Sequence, residues 1–177
     1  MTKQFLHAND FQRDCIRLAK QVFSSTGWRP DLILALWRGG AQPGVIASEV
    51  FDALGRPTPH EVIKCSSYTT IGQRNKEVSF GRSEAFLKTL PVGLRVLVVD
   101  DVFDTGKTAE AIRMRLPQVD LRIATVYWKP NARLVPFVPD YYVRKTDDWI
   151  VFPHELSGLT KAELKEKDPE IASLLYE

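Results

Sequence analysis

The segment Val96-Leu97-Val98-Val99-Asp100-Asp101-Val102-Phe103-Asp104-Thr105-Gly106-Lys107-Thr108 constrains this chain more than any other. Four consecutive apolar residues, three of them β-branched, predict a strand covered on both faces, as in a parallel sheet flanked by helices. Two carboxylates follow at once, then a third, and then a short run of small donors that opens a helix. Thr105, Gly106 and Thr108 offer backbone N–H groups and hydroxyls at a helix N-terminus, where free amides and the helix dipole hold a phosphate. Carboxylates beside such a cradle repel the phosphate unless they bind hydroxyls, a proton or metal-bound water. A phosphorylated sugar with free hydroxyls, accompanied by Mg²⁺, satisfies the whole set.

Two other readings of this segment are weaker. A solvated acidic turn does not need three carboxylates and two threonines in this order. Gly106-Lys107-Thr108 resembles the end of a nucleoside-triphosphate P-loop, but that loop requires a glycine where Asp101 stands, and a carboxylate there would face the phosphates.

The 177 residues suffice for one domain with a substantial core. Twenty-four basic against 22 acidic residues leave a net charge of +2, so no long-range field points to nucleic acid. The mixed-sign run 161–167 reads as a solvated helix face. Cys15 and Cys65 sit in apolar patterns and read as reduced core thiols of a cytoplasmic protein. His7, His60 and His154 show no spacing for a transition-metal site. Neither a signal peptide nor a membrane-spanning run is expected.

Apolar periodicity predicts a helix over 10–23 with Asn9 or Asp10 as cap, a strand over 32–36 and a helix from Pro43 to Leu54 closed by Gly55. Further strands are expected over 61–66, 95–99, 121–128, 141–143 and 150–152, and a helix over 107–115. The polar stretch from Ser67 to Arg82 shows no period and reads as a lid or a surface loop. In the tail, Thr160-Lys161-Ala162-Glu163 is a capping box that Leu159 and Leu164 can staple, and Pro169 starts a short helix ending near Tyr176. Alternating strands and helices predict an α/β fold with its site at the carboxyl ends of the strands.

The pattern of an apolar strand, two acids, two apolar residues and Asp-Thr-Gly-x-Thr resembles the signature of the type I phosphoribosyltransferases. The Arg38-Gly39-Gly40 turn, the Ser66-Ser67-Tyr68 loop start, Lys129-Pro130 and Trp149-Ile150 occur in the order found in the 6-oxopurine members of that family. The resemblance spans about residues 30–155. It implies a central, mostly parallel sheet flanked by helices, with a small base-binding hood. The whole chain would be a single domain: core about 30–145, hood from the N-terminal segment and about 146–155, and a C-terminal helical tail over 156–177.

What the resemblance implies chemically is transfer of 5-phosphoribosyl from phosphoribosyl pyrophosphate to xanthine, guanine or hypoxanthine. Arg38, Gly39 and Gly40 would form a pyrophosphate loop with a cis Trp37–Arg38 peptide. Ser67 and Tyr68 would work in the lid, with Arg74 or Lys76 reaching pyrophosphate. Asp100 and Asp101 would orient ribose hydroxyls and Mg²⁺, with Glu155 as a further metal-binding acid. Asp104 would be the catalytic acid–base group, and Asp104, Thr105, Gly106, Lys107 and Thr108 would cradle the 5′-phosphate, Lys107 through its backbone. Lys129 would bond the purine's exocyclic oxygen, Trp149 would stack on the ring, and backbone groups from Ile150 onward would read its edge. A strand-end lysine that is merely solvated and a tryptophan that is merely core are the competing readings. Val151 stands where relatives carry an acid, which leaves the choice of purine open. A homodimer or higher homo-oligomer is expected, with neither nucleic acid nor membrane as partner. The alternatives are a non-catalytic regulator of the same fold that senses phosphoribosyl pyrophosphate or nucleotides, and a transferase for another base.

Overall fold

Strands form where β-branched and aromatic residues run together, and Gly or Pro punctuates each exit. In chain order the elements begin β1 (Lys3–Phe5), α1 (Ala8–Phe23), β2 (Leu32–Trp37), α2 (Ala41–Ala53), β3 (His60–Lys64), β4 (Ser66–Thr69) and β5 (Lys76–Ser79). They continue with α3 (Ser83–Lys88), β6 (Arg95–Phe103), α4 (Lys107–Arg115), β7 (Asp120–Trp128), β8 (Tyr141–Lys145), β9 (Trp149–Val151), α5 (Lys161–Lys167) and α6 (Pro169–Tyr176). The computed structural model describes residues 3–69 and 76–176, without the side chains of 66–69, 76 and 77. Arg74 lies outside the described residues.

The chain divides into two compact units, Gln12–Asp147 and a smaller one made of Met1–Phe11 with Asp148–Glu177. In the larger unit five parallel strands lie in the order β3-β2-β6-β7-β8. The order reverses between β2 and β6, and such a switch point opens a crevice at the strands' carboxyl ends. On one face Leu34, Val98 and Ile123 pack with Phe80, Leu87 and Ile112, all fully buried. Each such side chain contributes roughly 1.5–3 kcal/mol. On the other face α2 lies so close that a Cβ on Gly44 would stand 2.4 Å from Ala35 Cβ.

Two ion pairs anchor the sheet. Asp14 is 1% exposed, and it accepts from Arg144 Nε at 2.5 Å and from Arg17 Nη1 at 2.5 Å, tying α1 to β8. At the far end of the sheet Asp31 accepts from Arg95 Nη2 at 2.6 Å and Nε at 2.9 Å.

Several expected boundaries move. β6 does not stop at Val99 but runs through both acids to Phe103, because pairing with β7 continues to Phe103 opposite Trp128. The helix expected from Pro43 begins at Ala41, and Gly55 (φ +76°) closes it in a Schellman pair, Gly55 N–H to Asp52 O and Arg56 N–H to Phe51 O. The unpatterned stretch after Cys65 holds an antiparallel hairpin, β4 with β5, and then α3. Helix α1 starts at Ala8, so Asn9 and Asp10 lie inside its first turn.

In the smaller unit β1 pairs in parallel with β9, Lys3 opposite Trp149. Phe11 meets Phe152 edge-on at 5.3 Å, and His154 stacks on Phe152. The capping box is present in full: Thr160 Oγ1 accepts the Glu163 amide and Glu163 Oε2 accepts the Thr160 amide.

Candidate active site

Two strand ends build the site in the larger unit. After β2 the chain turns through Arg38-Gly39-Gly40, and the Trp37–Arg38 peptide is cis, as expected. Both glycines are steric requirements. A Cβ on Gly39 would lie 2.4 Å from Asp101 Oδ2, and one on Gly40 would lie 2.2 Å from the Val99 carbonyl oxygen. The turn is thereby pressed against the acidic end of β6.

Asp100 is the cross-strand partner of Thr125 on β7. Burial first, then the Asp101 charge, pushes the Asp100 carboxyl well above the usual carboxylate range, against amides of Asp101 and Gly40 that donate to it. The side chain lines the crevice, where loss of water dominates. Asp101 itself is 8% exposed.

The chain then leaves β6 through Asp104-Thr105-Gly106 and enters α4. Gly106 has φ +79°, and an added Cβ would strike Val135 Cγ2 at 2.4 Å and the Phe103 ring at 2.7 Å. Only glycine delivers the amides of α4's first turn at this tightness. The Lys107 N–H points at Thr105 Oγ1 at 3.4 Å. A cavity of about 220 Å³ opens here, lined by Asp100, Asp101, Asp104, Thr105, Gly106 and Thr108 among others.

Lys129 follows β7 and is pinned by its N–H to Phe103 O at 2.9 Å. Its Nζ stands 4.0 Å from Asp104 Oδ2, and its side chain is only 13% exposed, whereas Asp104 is half-exposed. The merely solvated strand-end lysine is not what the structure contains.

One end of the sheet thus gathers Arg38, Gly39, Gly40, Asp100, Asp101, Asp104, Thr105, Gly106, Lys107, Thr108 and Lys129. Ser67 and Tyr68 fall in β4, and their side chains lie outside the described residues. Trp149, Ile150 and Glu155 belong to the smaller unit. There Trp149 is 53% exposed, so it is not a core aromatic, while Ile150 is 6% exposed. Glu155 Oε2 accepts the Phe152 amide at 3.0 Å.

One residue lining the crevice, and one core thiol adjoining it, had no site signal of their own in the sequence. The Cys65 thiol, pushed up to about 11 chiefly by burial, lies against the Thr108 hydroxyl. Thr125 lines the cavity with a fully buried hydroxyl and no protein partner among the described residues. Neither was legible before the register of β3, β6 and β7 was known.

Among the described residues there is no group of three or more His, Cys, Asp or Glu side chains arranged around a metal position. No helix among them is long and apolar enough to cross a membrane.

A parallel sheet flanked by helices, with a glycine turn, an acidic pair and a Thr-Gly turn into a helix at its switch point, matches the type I phosphoribosyltransferase fold. The model of the phosphoribosyl transferase domain family matches residues 1–159, and the chain belongs to that family. It is 32% identical over 142 residues to the xanthine-guanine phosphoribosyltransferase of Cereibacter sphaeroides, covering 80% of this chain and 77% of that one. The crystal structure of a purine phosphoribosyltransferase from Pyrococcus horikoshii superposes with a TM-score of 0.67 at 31% identity, over 90% of this chain and 98% of the other. A hypothetical protein from Neisseria gonorrhoeae with bound ppGpp shares the fold over 98% of this chain and 97% of its own, with a TM-score of 0.75 at 22% identity. The family expectation and the α/β fold expectation both stand.

Proposed function

We propose that this chain transfers 5-phosphoribosyl from phosphoribosyl pyrophosphate to a 6-oxopurine, giving the nucleoside 5′-monophosphate and pyrophosphate in purine salvage. The observation that carries the reading is the convergence of the Arg38-Gly39-Gly40 turn, the Asp100–Asp101 pair and the 104–108 cradle at one switch point, with half-buried Lys129 beside Asp104. Identities of 32% and 31% to a xanthine-guanine and a purine enzyme support the base class.

In the reaction the bond between ribose C1 and pyrophosphate breaks with its electron pair leaving on pyrophosphate. The purine nitrogen forms the new bond to C1, and the ring loses its N7 proton. Asp104, half-exposed at the cradle's edge, takes that proton or stabilises its departure. The amides from Asp104 to Thr108 hold the 5′-phosphate at the start of α4. Arg38 and the Gly39 and Gly40 backbone face pyrophosphate, and Ser67 and Tyr68 belong to the lid that excludes water. Lys129 donates to the base's exocyclic oxygen, Trp149 stacks on its ring, and the backbone at Ile150 reads its edge.

The residues fit Mg²⁺. A carboxyl pair with one member pushed up by burial and then by its neighbour's charge gains from a divalent cation, and Mg²⁺ takes one or two carboxylates with waters and substrate phosphates. Asp100 and Asp101 would hold it; Glu155, already bonded to the Phe152 amide, would contribute after them. When bound, the ion neutralises charge on the leaving pyrophosphate.

The units Gln12–Asp147 and Met1–Phe11 with Asp148–Glu177 act as core and hood of one domain in this reading, in the cytoplasm. A homodimer or higher homo-oligomer belongs to the same reading; a monomer by light scattering at micromolar concentration would overturn that part. The test of function is to incubate the protein with Mg²⁺, phosphoribosyl pyrophosphate and, separately, xanthine, guanine, hypoxanthine, adenine and orotate. Nucleotide formed from a 6-oxopurine is expected. Turnover with adenine or orotate alone would keep the phosphate side and reject the roles of Lys129 and Trp149. Binding of phosphoribosyl pyrophosphate without any turnover would favour the regulator.

A further inference from the structure

Lys167 does something unusual for a lysine in a mixed-charge tail. Its ammonium donates to three backbone carbonyls of a single turn: Phe152 O at 2.7 Å, Pro153 O at 3.0 Å and Glu155 O at 2.5 Å. An ammonium has three N–H donors, and all three are used. The run 161–167 therefore does not read through as a solvated face: Leu164 is fully buried, and Lys167 is half-buried three residues on, along the same side of α5.

The turn itself explains the demand for a cation. Glu155 N–H closes it onto Phe152 O at 3.0 Å, and Glu155 Oε2 caps the Phe152 amide at 3.0 Å. The remaining carbonyl dipoles of Phe152, Pro153 and Glu155 then converge on one point. Without a positive group between them they repel and splay.

The helix that delivers the lysine is itself fixed at both ends. The capping box of Thr160 and Glu163 starts it, and Asp168 ends it by capping the Glu170 and Ile171 amides of α6. Glu163 also pairs with Lys3 of β1, the strand that is hydrogen-bonded along β9. Trp149 and Ile150 lie on β9, and the clamped turn begins one residue after it ends.

We propose that Lys167 is the positioning residue of the base-binding strand: by clamping the 152–155 turn it fixes the β9 backbone and makes the C-terminal helices a working part of the purine subsite. This rests on the reading that Trp149 and Ile150 contact the base. The role asks nothing of Lys167 at the reacting atoms, so it predicts an effect on the base alone.

The test compares full-length wild type with Lys167→Met, which keeps the stem and removes charge and donors, and Lys167→Arg, which keeps both. In Lys167→Met the KM for the 6-oxopurine is expected to rise about tenfold, the worth of about 1.4 kcal/mol of lost positioning. The KM for phosphoribosyl pyrophosphate and kcat at saturation stay within about twofold of wild type. Amide hydrogen exchange over residues 149–156 speeds up in Lys167→Met, exchange over 95–108 does not, and Lys167→Arg recovers most of both effects. Equal losses for both substrates, or unchanged exchange over 149–156, would overturn the proposal while wild-type turnover leaves the function standing. Failure of wild type to use any 6-oxopurine would instead remove the function, and this inference with it. If Lys167→Met does not fold, Lys167→Gln takes its place under the same criteria.

Discussion

Replacing Gly39 by alanine tests the phosphate side of the site with a single added carbon. The new Cβ would stand 2.4 Å from Asp101 Oδ2 and 2.5 Å from both Cγ and Oδ1. Ordinary contact begins near 3.4 Å, so the turn or the carboxylate must move by about 1 Å. Asp101 is 8% exposed and has little room to retreat. Gly39 is not among the glycines with positive φ, so alanine adds bulk there without backbone strain. Overpacking of this kind costs about 1–3 kcal/mol. In a chain of this length each kcal/mol lowers Tm by roughly 2–4 °C. A displacement of about 1 Å in a group that positions substrate costs on the order of 10²-fold in rate. Calorimetry for Tm and steady-state kinetics with phosphoribosyl pyrophosphate as the varied substrate read both effects. Wild-type kinetics combined with a lowered Tm would mean that the geometry is right and the ligand role wrong. Wild-type values in both would refute the close approach of the Gly39 backbone to Asp101.

Asp104→Asn should lower kcat by on the order of 10²-fold while the protein stays folded, measured under saturating substrates; near-wild-type turnover removes Asp104 from the chemistry. Trp149→Ala should weaken purine binding far more than phosphoribosyl pyrophosphate binding, and equal losses by titration calorimetry would mark a structural tryptophan. Asp14→Asn should reduce stability at pH 7 by about 1–3 kcal/mol, since a buried carboxylate loses charged hydrogen bonds. Burial raises the Asp14 pKa, but Arg144 and Arg17 outweigh it and hold it below its ordinary value. Its stabilisation is thus full above about pH 4 and disappears as pH falls through the lower folded value. Urea unfolding should show the variant's deficit shrinking below that pH, and a deficit constant with pH would contradict the ion pairing.

Elements whose ends carry their own chemistry were legible residue by residue. Helix α4 starts where Gly106 must be left-handed, α6 starts at Pro169, and the Thr160–Glu163 box announces α5. What escaped was set by partners distant in sequence. Asp100 and Asp101 disfavour strand locally, but the β7 ladder holds them in one. The three-residue β1 exists through β9, and α3 through burial of Leu87. The same holds within the site. The 104–108 turn is one contiguous segment and was readable, whereas Thr125 joins the crevice through sheet order alone. Lys167 looks like its charged neighbours in sequence, and only the fold of the 152–155 turn separates it from them.

The switch point also shows why stability does not explain these residues. Asp14 is matched with two arginines, and half-buried Asp31 with Arg95. At the carboxyl end of β6 the matching fails on adjacent strands. Asp100 is pushed up by burial and by Asp101, so it destabilises the fold increasingly as pH rises from the unfolded carboxylate value through the raised folded one. Its cross-strand partner Thr125 buries a hydroxyl with no protein partner among the described residues, which typically costs about 1–3 kcal/mol. Valine in place of Thr125 would keep the volume and remove that cost. A crevice that instead keeps a hydroxyl, a strained carboxyl pair and two glycines admitting no side chain is complementary to something outside the fold. On the proposed function that something is a metal-bound phosphorylated sugar, which would bring cationic charge and hydroxyls to Asp100 and Asp101 and a phosphate to the α4 amides.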